Sequence, residues 1–275
     1  MFVLETAEMP WDPVKANTRT GKISRKFIRE GELAPGVGYT SDLVKYHGGH
    51  GVFTAPRHVH NFDQIRLTLS GETDYGAEQI AGPGDASFFP AGAYYGPERF
   101  EAAEIFLLQW SPDWVTREHS DAAYAELAKT GEFKDGFYVT AGEDGQEVRK
   151  DGTNALWEAV NGKPLVIPSP KYQTPVLMRP EGFDWKPTSD GLDAKDLGHL
   201  TDDDLNIVSC RWSEGGVLKL SADRTYILWI SSGAMSLDGK RLGEKTILFS
   251  DFGEAHDLYG IESGEATCIG LPVSA

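Results

Sequence analysis

The chain has little of several things, and each shortage excludes a class of protein. Its two cysteines, Cys210 and Cys268, are far apart in 275 residues, so they cannot form a disulfide framework and are expected to be buried small apolar residues. Only 26 Lys and Arg residues stand against 42 Asp and Glu, and the net charge of −16 leaves no basic stripe for nucleic acid or an anionic membrane surface. No apolar run approaches the roughly 18 residues that a transmembrane helix needs.

The beginning of the chain also lacks a targeting signal. Residues 1–11 have neither the basic start nor the apolar run of a signal peptide. With so few cysteines, the expected compartment is the reducing cytoplasm. A hydrophobic content of 40% and a charged content of 25% are those of a soluble globular protein, and the length allows two ordinary domains or one duplicated domain.

What the chain does have is glycine, proline and many short strand-like runs. The 31 glycines and 15 prolines recur throughout, and short strands separated by turns predict an all-β sandwich or small barrel. The clearest strand-like runs are 64–70, 86–89, 104–110, 225–231 and 246–250. Helical periodicity is convincing only over 120–129 and 153–160, with Ser120 and Thr153 as the candidate N-caps.

The sequence repeats itself in three places, always in the same order. The matched pairs are 10–13 with 184–187, 64–71 with 226–233, and 84–96 with 243–256. Repeated order of this kind is hard to obtain by chance, so we predict two copies, at 9–110 and 181–272. This gives an N-terminal domain 1–110, a partly helical connecting segment 111–180 and a C-terminal domain 181–275.

The most informative stretch is 58–64, which contains His58, His60 and Gln64. Two histidines at i and i+2 of an extended strand point to the same side, and a polar side chain four residues on can close the same site. Imidazoles that converge from one strand suit Zn, Fe, Cu, Ni or Mn better than Ca or Mg. These residues are therefore candidates for a metal site.

Two spacings in the first copy resemble the motifs of the cupin superfamily. The first motif, G-x5-H-x-H-x3,4-E-x6-G, corresponds to Gly51, His58, His60, Gln64 and Gly71, with Gly51 one residue too far upstream. The second motif, G-x5-P-x-G-x2-H-x3-N, corresponds to Gly84, Pro90, Gly92, Tyr95 and Arg99. Gln64 replaces the family's Glu, Tyr95 its His and Arg99 its Asn. The second copy matches weakly, so the chain resembles a bicupin with one degenerate domain.

The resemblance implies an all-β fold of two tandem double-stranded β-helix (jelly-roll) barrels with a short, partly helical segment between them. It also implies a divalent metal ion (Fe²⁺, Zn²⁺, Mn²⁺ or Ni²⁺) held in the N-terminal barrel by His58, His60, Gln64 and Tyr95. This set is neutral unless Tyr95 ionises or an anionic substrate binds. The alternative is that the four are buried polar groups, hydrogen-bonded to one another in a site without metal.

The second copy offers no such set. Aligned on Gly233, the positions of the first three ligands fall on Leu220, Ala222 and Tyr226, and only His256 matches the last one. A single imidazole does not hold a catalytic metal, so the second barrel is expected to stabilise the fold or a dimer.

Arg66 has the same strand parity as Gln64, so it should point into the barrel. A buried cation needs a partner. The partner could be a substrate carboxylate or enolate, or one of the acidic side chains Asp63, Asp74 and Glu104 in an internal salt bridge.

Together these features predict a metal-dependent cupin enzyme of the dioxygenase or isomerase/cyclase type, acting on a small anionic, enolic or aromatic oxygenated substrate. Tyr95 is the candidate fourth ligand or general acid/base, and Arg66 the anion clamp. The alternatives are a non-catalytic small-molecule-binding or sensing bicupin without metal, and a storage-type structural bicupin, which the polar cluster disfavours. The expected partners are a small substrate in the N-terminal barrel and a second copy of the chain in a homodimer, with no nucleic acid and no membrane.

Overall fold

The chain divides into two compact units, Trp11–Leu177, and Met1–Pro10 together with Met178–Ala275. The structure is a computed structural model, and it describes residues 1–14, 18–49, 51–142, 144–188, 190–202 and 204–271. The second unit is split in sequence because strand β1 (Phe2–Glu5) pairs with the stretch Thr246–Phe249. These bounds differ from the predicted 1–110, 111–180 and 181–275, since the sequence of a four-residue edge strand does not reveal its partner.

Two antiparallel sheets form the barrel of the N-terminal unit. Their strands are β2 (Asp12–Pro13), β3 (Ile23–Ala34), β4 (Val37–Tyr46), β5 (Phe53–Ala55), β6 (Asp63–Gly71), β7 (Thr73–Asp74), β8 (Ile80–Ala81), β9 (Ala86–Phe89), β10 (Glu98–Phe100), β11 (Ala103–Pro112) and β15 (Val176–Met178). The larger sheet has the order β15-β9-β6-β11-β4-β3-β2, and the smaller one has the order β5-β10-β7-β8. Neighbouring strands in each sheet are often far apart in sequence, which is the pattern of a jelly roll.

Apolar side chains from both sheets meet in one core. Strand β10 shows why: Glu98 and Phe100 are buried and Arg99 between them is exposed, as the period of two in a strand requires. The core cluster contains Val44, Tyr46, Phe53, Ala55, Tyr75, Ala81, Phe89, Tyr95, Phe100, Ala103, Ile105 and Leu107. Burial of these side chains holds the two sheets face to face.

Two helices and a small sheet follow the barrel strands within the same unit. These elements are α1 (Arg117–Leu127), β12 (Glu132–Lys134), β13 (Phe137–Ala141), β14 (Glu147–Asp151) and α2 (Gly152–Asn161). The predicted N-caps Ser120 and Thr153 are wrong, because Thr116 caps α1 and the Asp151 carboxylate caps α2. Both helices begin in polar segments where no apolar periodicity marks their start. Within the described residues, no helix has the length and apolarity to cross a membrane.

The C-terminal unit is built on one nine-stranded antiparallel sheet. After a 3-10 turn at Pro180–Gly182, its strands are β16 (Lys186–Pro187), β17 (Leu192–His199), β18 (Asn206–Trp212), β19 (Val217–Leu220), β20 (Tyr226–Leu237), β21 (Lys240–Gly243), β22 (Thr246–Ser250) and β23 (His256–Gly270), joined by β1. The order is β1-β22-β20-β23-β18-β17-β16, with β19 on β23 and β21 on β20. Its core is apolar and includes the free thiols Cys210 and Cys268, buried as predicted.

Both units use the same strand register. Ile65 of β6 lies opposite Phe88 of β9, and Ile227 of β20 lies opposite Phe249 of β22, which are the positions that the sequence repeat equates. The predicted fold of two tandem jelly-roll barrels with a partly helical segment between them in sequence is confirmed.

Gly71 and Gly233 occupy equivalent places in the two barrels, with φ of 72° and 70°. A Cβ atom on Gly71 would lie 2.0 Å from the Ala102 carbonyl oxygen, and one on Gly233 would lie 2.2 Å from that of Ser263. We expect Gly71→Ala and Gly233→Ala each to lower the free energy of unfolding by about 3 kcal/mol or more, measured by urea denaturation. Gly36, with φ of 77° and open space around it, is the control. Its alanine variant should lose about 1 kcal/mol, and an equal loss at all three sites would contradict the steric argument.

Candidate functional site

Backbone hydrogen bonds hold the paired histidines against the loop that follows β9. The amide of His58 donates to the Tyr95 carbonyl at 3.0 Å, and the amide of Tyr95 donates to the His58 carbonyl at 3.1 Å. The Gly92 amide donates to the His60 carbonyl at 2.8 Å. The predicted placement of both histidines in a regular strand is wrong, because this segment makes a single isolated bridge. That bridge nevertheless brings the two motifs together.

A cavity of about 510 Å³ lies in the N-terminal unit. Its polar lining from the barrel includes His58, His60, Gln64, Arg66, Glu98 and Gln109. The helices α1 and α2 contribute further lining residues, among them Arg117 and Trp157. Four of the five predicted site residues therefore face one space, and the fifth, Tyr95, packs behind them with its ring centroid 4.4 Å from that of His58.

His58 is held in one tautomer. Its Nδ1 lies 2.6 Å from the Pro56 carbonyl oxygen, and because a carbonyl only accepts, Nδ1 carries the proton. The lone pair is then on Nε2, which lies 3.9 Å from Oε2 of Glu98. Burial lowers the pKa of His58, and the Glu98 carboxylate offsets part of that effect. His58 is thus a neutral base with its acceptor atom beside a carboxylate.

His60 carries an unsatisfied polar atom. Its ring stacks on Phe62 with centroids 4.3 Å apart and lies 4.9 Å from the ring of His58. The side chain is only 9% exposed, yet Nδ1 has no hydrogen-bond partner. Burial, and then the charges of His58, Arg19 and Arg66, lower the pKa of His60 well below 6.5. A buried nitrogen without a partner is costly unless a ligand or water satisfies it.

Gln64 and Tyr95 bond to each other and to their neighbours. Gln109 donates from Nε2 to Oε1 of Gln64 at 3.1 Å, and Gln64 donates from Nε2 to the Tyr95 hydroxyl at 2.9 Å. The Tyr95 hydroxyl accepts a second hydrogen bond, from Nη2 of Arg66 at 3.2 Å. Burial raises the pKa of Tyr95 above its ordinary range, so the phenol stays protonated.

Arg66 points into the barrel as its strand parity predicts, and its partner is Glu98. The two side chains are 7% and 4% exposed, and Nη1 of Arg66 lies 2.5 Å from Oε1 of Glu98. The predicted partners are engaged elsewhere: Asp63 accepts from the Ala91 amide, Asp74 from the Gly76 amide, and Glu104 pairs with Lys45. The interpretation as an internal salt bridge is therefore supported, with a different carboxylate.

Sequence reasoning missed Glu98, Gln109 and Trp157. Glu98 falls one position before Arg99, where the second motif places its last residue, so the motif draws attention away from it. Glu98 could have been found from Phe100, a bulky apolar residue expected to face the core, because residues two apart in a strand face the same side. Gln109 could have been found from its place on a buried strand, but no local pattern in the sequence places Trp157 near the barrel.

The two imidazoles make the stability of the fold depend on pH. Their folded-state pKa values lie below 6.5, so below that pH the unfolded chain binds more protons than the folded chain. We expect the free energy of unfolding to fall between pH 7 and pH 5, by up to about 1.4 kcal/mol per pH unit for each histidine. Urea titrations of the wild type and of His60→Asn test this. An unchanged pH profile in the variant would show that His60 does not contribute.

The predicted metal ligands do not fit a divalent ion as they are arranged. Both lone pairs of the Tyr95 hydroxyl are taken by hydrogen bonds from Gln64 and Arg66, and the amide oxygen of Gln64 accepts from Gln109. A permanent cation lies against the hydroxyl that would have to be a ligand. Among the residues that the structure describes, no three His, Cys, Asp or Glu side chains form a metal-binding group. Metal binding stays a prediction of the resemblance, and this geometry does not support it.

The C-terminal barrel has an apolar interior at the equivalent positions. Leu228 takes the place of Arg66 and is fully buried, and Leu220 is 2% exposed. His256 lies 3.6 Å from the Glu254 carboxylate. The polar cluster is a feature of the N-terminal barrel.

Comparison with known proteins finds similar structures but no similar sequences. No protein-family model matches the chain, and no curated protein sequence does. A candidate dioxygenase from Nostoc punctiforme is similar in structure, with a TM-score of 0.65 and 11% identity, over 99% of this chain and 82% of its own. An oxalate decarboxylase from Lactobacillus farciminis in complex with formate gives 0.57 and 8%, over 100% and 87%. A quercetin 2,3-dioxygenase from Acinetobacter baumannii gives 0.50 and 13%, over 100% and 87%.

Likeness at such low identity shows the fold, and it agrees with the duplicated jelly roll and the two motif spacings. The chain has the duplicated jelly-roll fold of these bicupin structures.

Proposed function

We propose that the N-terminal barrel is the active site of an enzyme that moves a proton within a small, oxygen-bearing anionic substrate, of the enolic or aromatic-acid kind. The observation that carries this proposal is the buried and unpartnered Nδ1 of His60 beside the neutral base His58. Cupin-fold enzymes among the structural neighbours make catalysis by this chain plausible without specifying its reaction.

Several described side chains that line the cavity have a buried nitrogen atom that a ligand can satisfy. Nδ1 of His60 and Nε1 of Trp157 have no hydrogen-bond partner, and both side chains are 9% exposed and line the cavity. The indole N–H only donates, so its partner must be an acceptor such as a carboxylate, carbonyl or hydroxyl oxygen. A volume of about 510 Å³ suits a small molecule.

Arginine side chains in the lining offer donors to an anion. Asp42 is 2% exposed and is shared by two guanidinium groups, Arg117 at 2.9 Å and Arg25 at 3.7 Å. Glu30 lies beside the same groups, so two carboxylates stand against two cations here. A substrate carboxylate or enolate would be held by the N–H donors of a guanidinium group and not by a net positive field.

His58 is suited to accept the proton. Its Nε2 carries the lone pair, and burial keeps the ring neutral near pH 7. A proton taken from the substrate gives an imidazolium that the Glu98 carboxylate, 3.9 Å away, stabilises. The guanidinium of Arg66 lies in the same cavity and stabilises the negative charge left on the substrate. Return of the proton to another atom of the substrate completes an isomerisation or cyclisation.

A non-catalytic binding module is the second candidate, and one observation favours it. Gln109, Gln64, Tyr95, Arg66 and Glu98 form a continuous chain of hydrogen bonds without a ligand. Such a network fixes the shape of a pocket whether or not a reaction takes place there. Dioxygenase chemistry with a divalent metal ion, and the homodimer, stay predictions from the resemblance.

One experiment separates these candidates. The purified protein is screened by thermal shift against small carboxylic acids, enols and aromatic acids, and each compound that binds is incubated with the protein in D₂O and followed by NMR. Deuterium incorporation at carbon, lost in His58→Ala, supports the enzyme. Binding without exchange supports the binding module. If no compound binds, or if binding is the same in His60→Phe, the proposed site is wrong.

A further inference from the structure

We infer that Arg66 is the built-in cation of the N-terminal barrel and that it excludes a divalent metal ion from the paired imidazoles of His58 and His60. This inference goes beyond the proposed proton transfer, and it holds equally for a binding module. It rests on the ion pair with Glu98 and on the residues that surround it.

Glu98 lies where a metal site would need a carboxylate. Its Oε2 is 3.9 Å from Nε2 of His58, whose ring is 4.9 Å from that of His60. Two imidazoles and one carboxylate are a common ligand set for divalent transition metals. The other oxygen, Oε1, is 2.5 Å from Nη1 of Arg66, so the guanidinium already neutralises this carboxylate.

Aromatic rings fix the guanidinium in place. Its central carbon lies 4.3 Å from the ring centroid of Phe89, 5.1 Å from that of Tyr75 and 5.5 Å from that of Tyr95. Arg66 is 6% exposed and donates to the Tyr95 hydroxyl as well. Cation–π contacts and two hydrogen bonds hold the side chain beside Glu98.

The guanidinium also cannot give up its charge. A guanidinium is not deprotonated in proteins, and the Glu98 carboxylate beside it stabilises its charge. An arginine therefore remains a cation beside Glu98, where a histidine could lose its proton to admit a metal. A divalent ion between His58 and Glu98 would meet this fixed charge in a pocket of low dielectric constant.

Cobalt binding tests the inference directly. Wild type, Arg66→Lys, Arg66→Met and the double variant Arg66→Met/Glu98→Gln are freed of metal with a chelator and titrated with Co²⁺, which is followed by its visible absorption. Arg66→Met frees Glu98 and should bind Co²⁺ at least about 10-fold more tightly than wild type. Arg66→Lys keeps the charge, and the double variant lacks the third ligand, so both should bind as weakly as wild type.

Thermal denaturation gives a second readout. Excess Co²⁺ should raise the melting temperature of Arg66→Met by about 5 °C or more and leave that of wild type unchanged. Stoichiometric Co²⁺ binding by wild type that is lost in His60→Ala would overturn the inference, and so would equal affinities of wild type and Arg66→Met. The wild-type titration decides the matter even if Arg66→Met does not fold. Because these measurements concern metal alone, their failure leaves the proposed proton transfer intact.

Discussion

Glu98→Ala is expected to lower the free energy of unfolding by about 3–5 kcal/mol, because it leaves the guanidinium of Arg66 buried without its counter-charge. Both side chains of the pair are less than a tenth exposed, so water cannot replace the lost carboxylate. The tyrosine hydroxyl that Arg66 also contacts is neutral and compensates only in part. Urea denaturation of the two proteins at pH 7 measures the difference.

A neighbouring ion pair at the end of the same strand supplies the control. Arg99 and Glu101 lie 3.5 Å apart, but their side chains are 59% and 80% exposed. Glu101→Ala should therefore change the free energy of unfolding by less than about 1 kcal/mol. The double variant Arg66→Met/Glu98→Leu removes both charges and should recover much of the loss of Glu98→Ala. If Glu98→Ala is as stable as Glu101→Ala, the ion pair between Arg66 and Glu98 does not stabilise the fold.

His58→Ala is expected to lower kcat/KM by about 10²- to 10⁴-fold for a substrate identified by the exchange screen, since it removes the group that accepts the proton. Most of the loss should fall on kcat, because His60, Trp157 and the arginines remain to bind the substrate. Added imidazole should restore part of the rate, as it can occupy the vacated space and accept the proton. Steady-state kinetics with and without imidazole measure both effects.

His119 serves as the matched control for this variant. It is an exposed histidine on α1, outside the polar cluster. His119→Ala should retain kcat/KM within about 2-fold of wild type. A loss of less than 10-fold in His58→Ala, or a loss that imidazole does not relieve while the fold is intact, would exclude His58 as the base.

The strands and their pairing could largely be predicted because their signals are local. The runs 86–89 and 246–250 coincide with β9 and β22, and 64–70 lies within β6. Apolar alternation and turn residues determine each strand, and the repeat shows that the order of strands recurs. The motif spacing also identified three of the cavity-lining side chains, His58, His60 and Gln64, and strand parity identified a fourth, Arg66.

The rest of the site depends on contacts between distant segments. Glu98 could be assigned to Arg66 only from the three-dimensional structure, since Asp63 and Asp74 are nearer to Arg66 in sequence. The metal set was inferred from residue types at fixed spacing, but the spacing does not show that Gln64 and Tyr95 bond to each other. Hydrogen-bond partners are decided by three-dimensional packing, which a one-dimensional pattern does not contain.

The pairing of β1 with β22 has a consequence for how the protein is made. Strand β1 is synthesised long before its partner, Thr246–Phe249, which lies far along the chain. The unit Trp11–Leu177 can therefore fold, as an inserted domain would, while β1 is still unpaired. A chain without residues 1–10 would lack β1, so β22 would be an uncovered sheet edge open to other molecules.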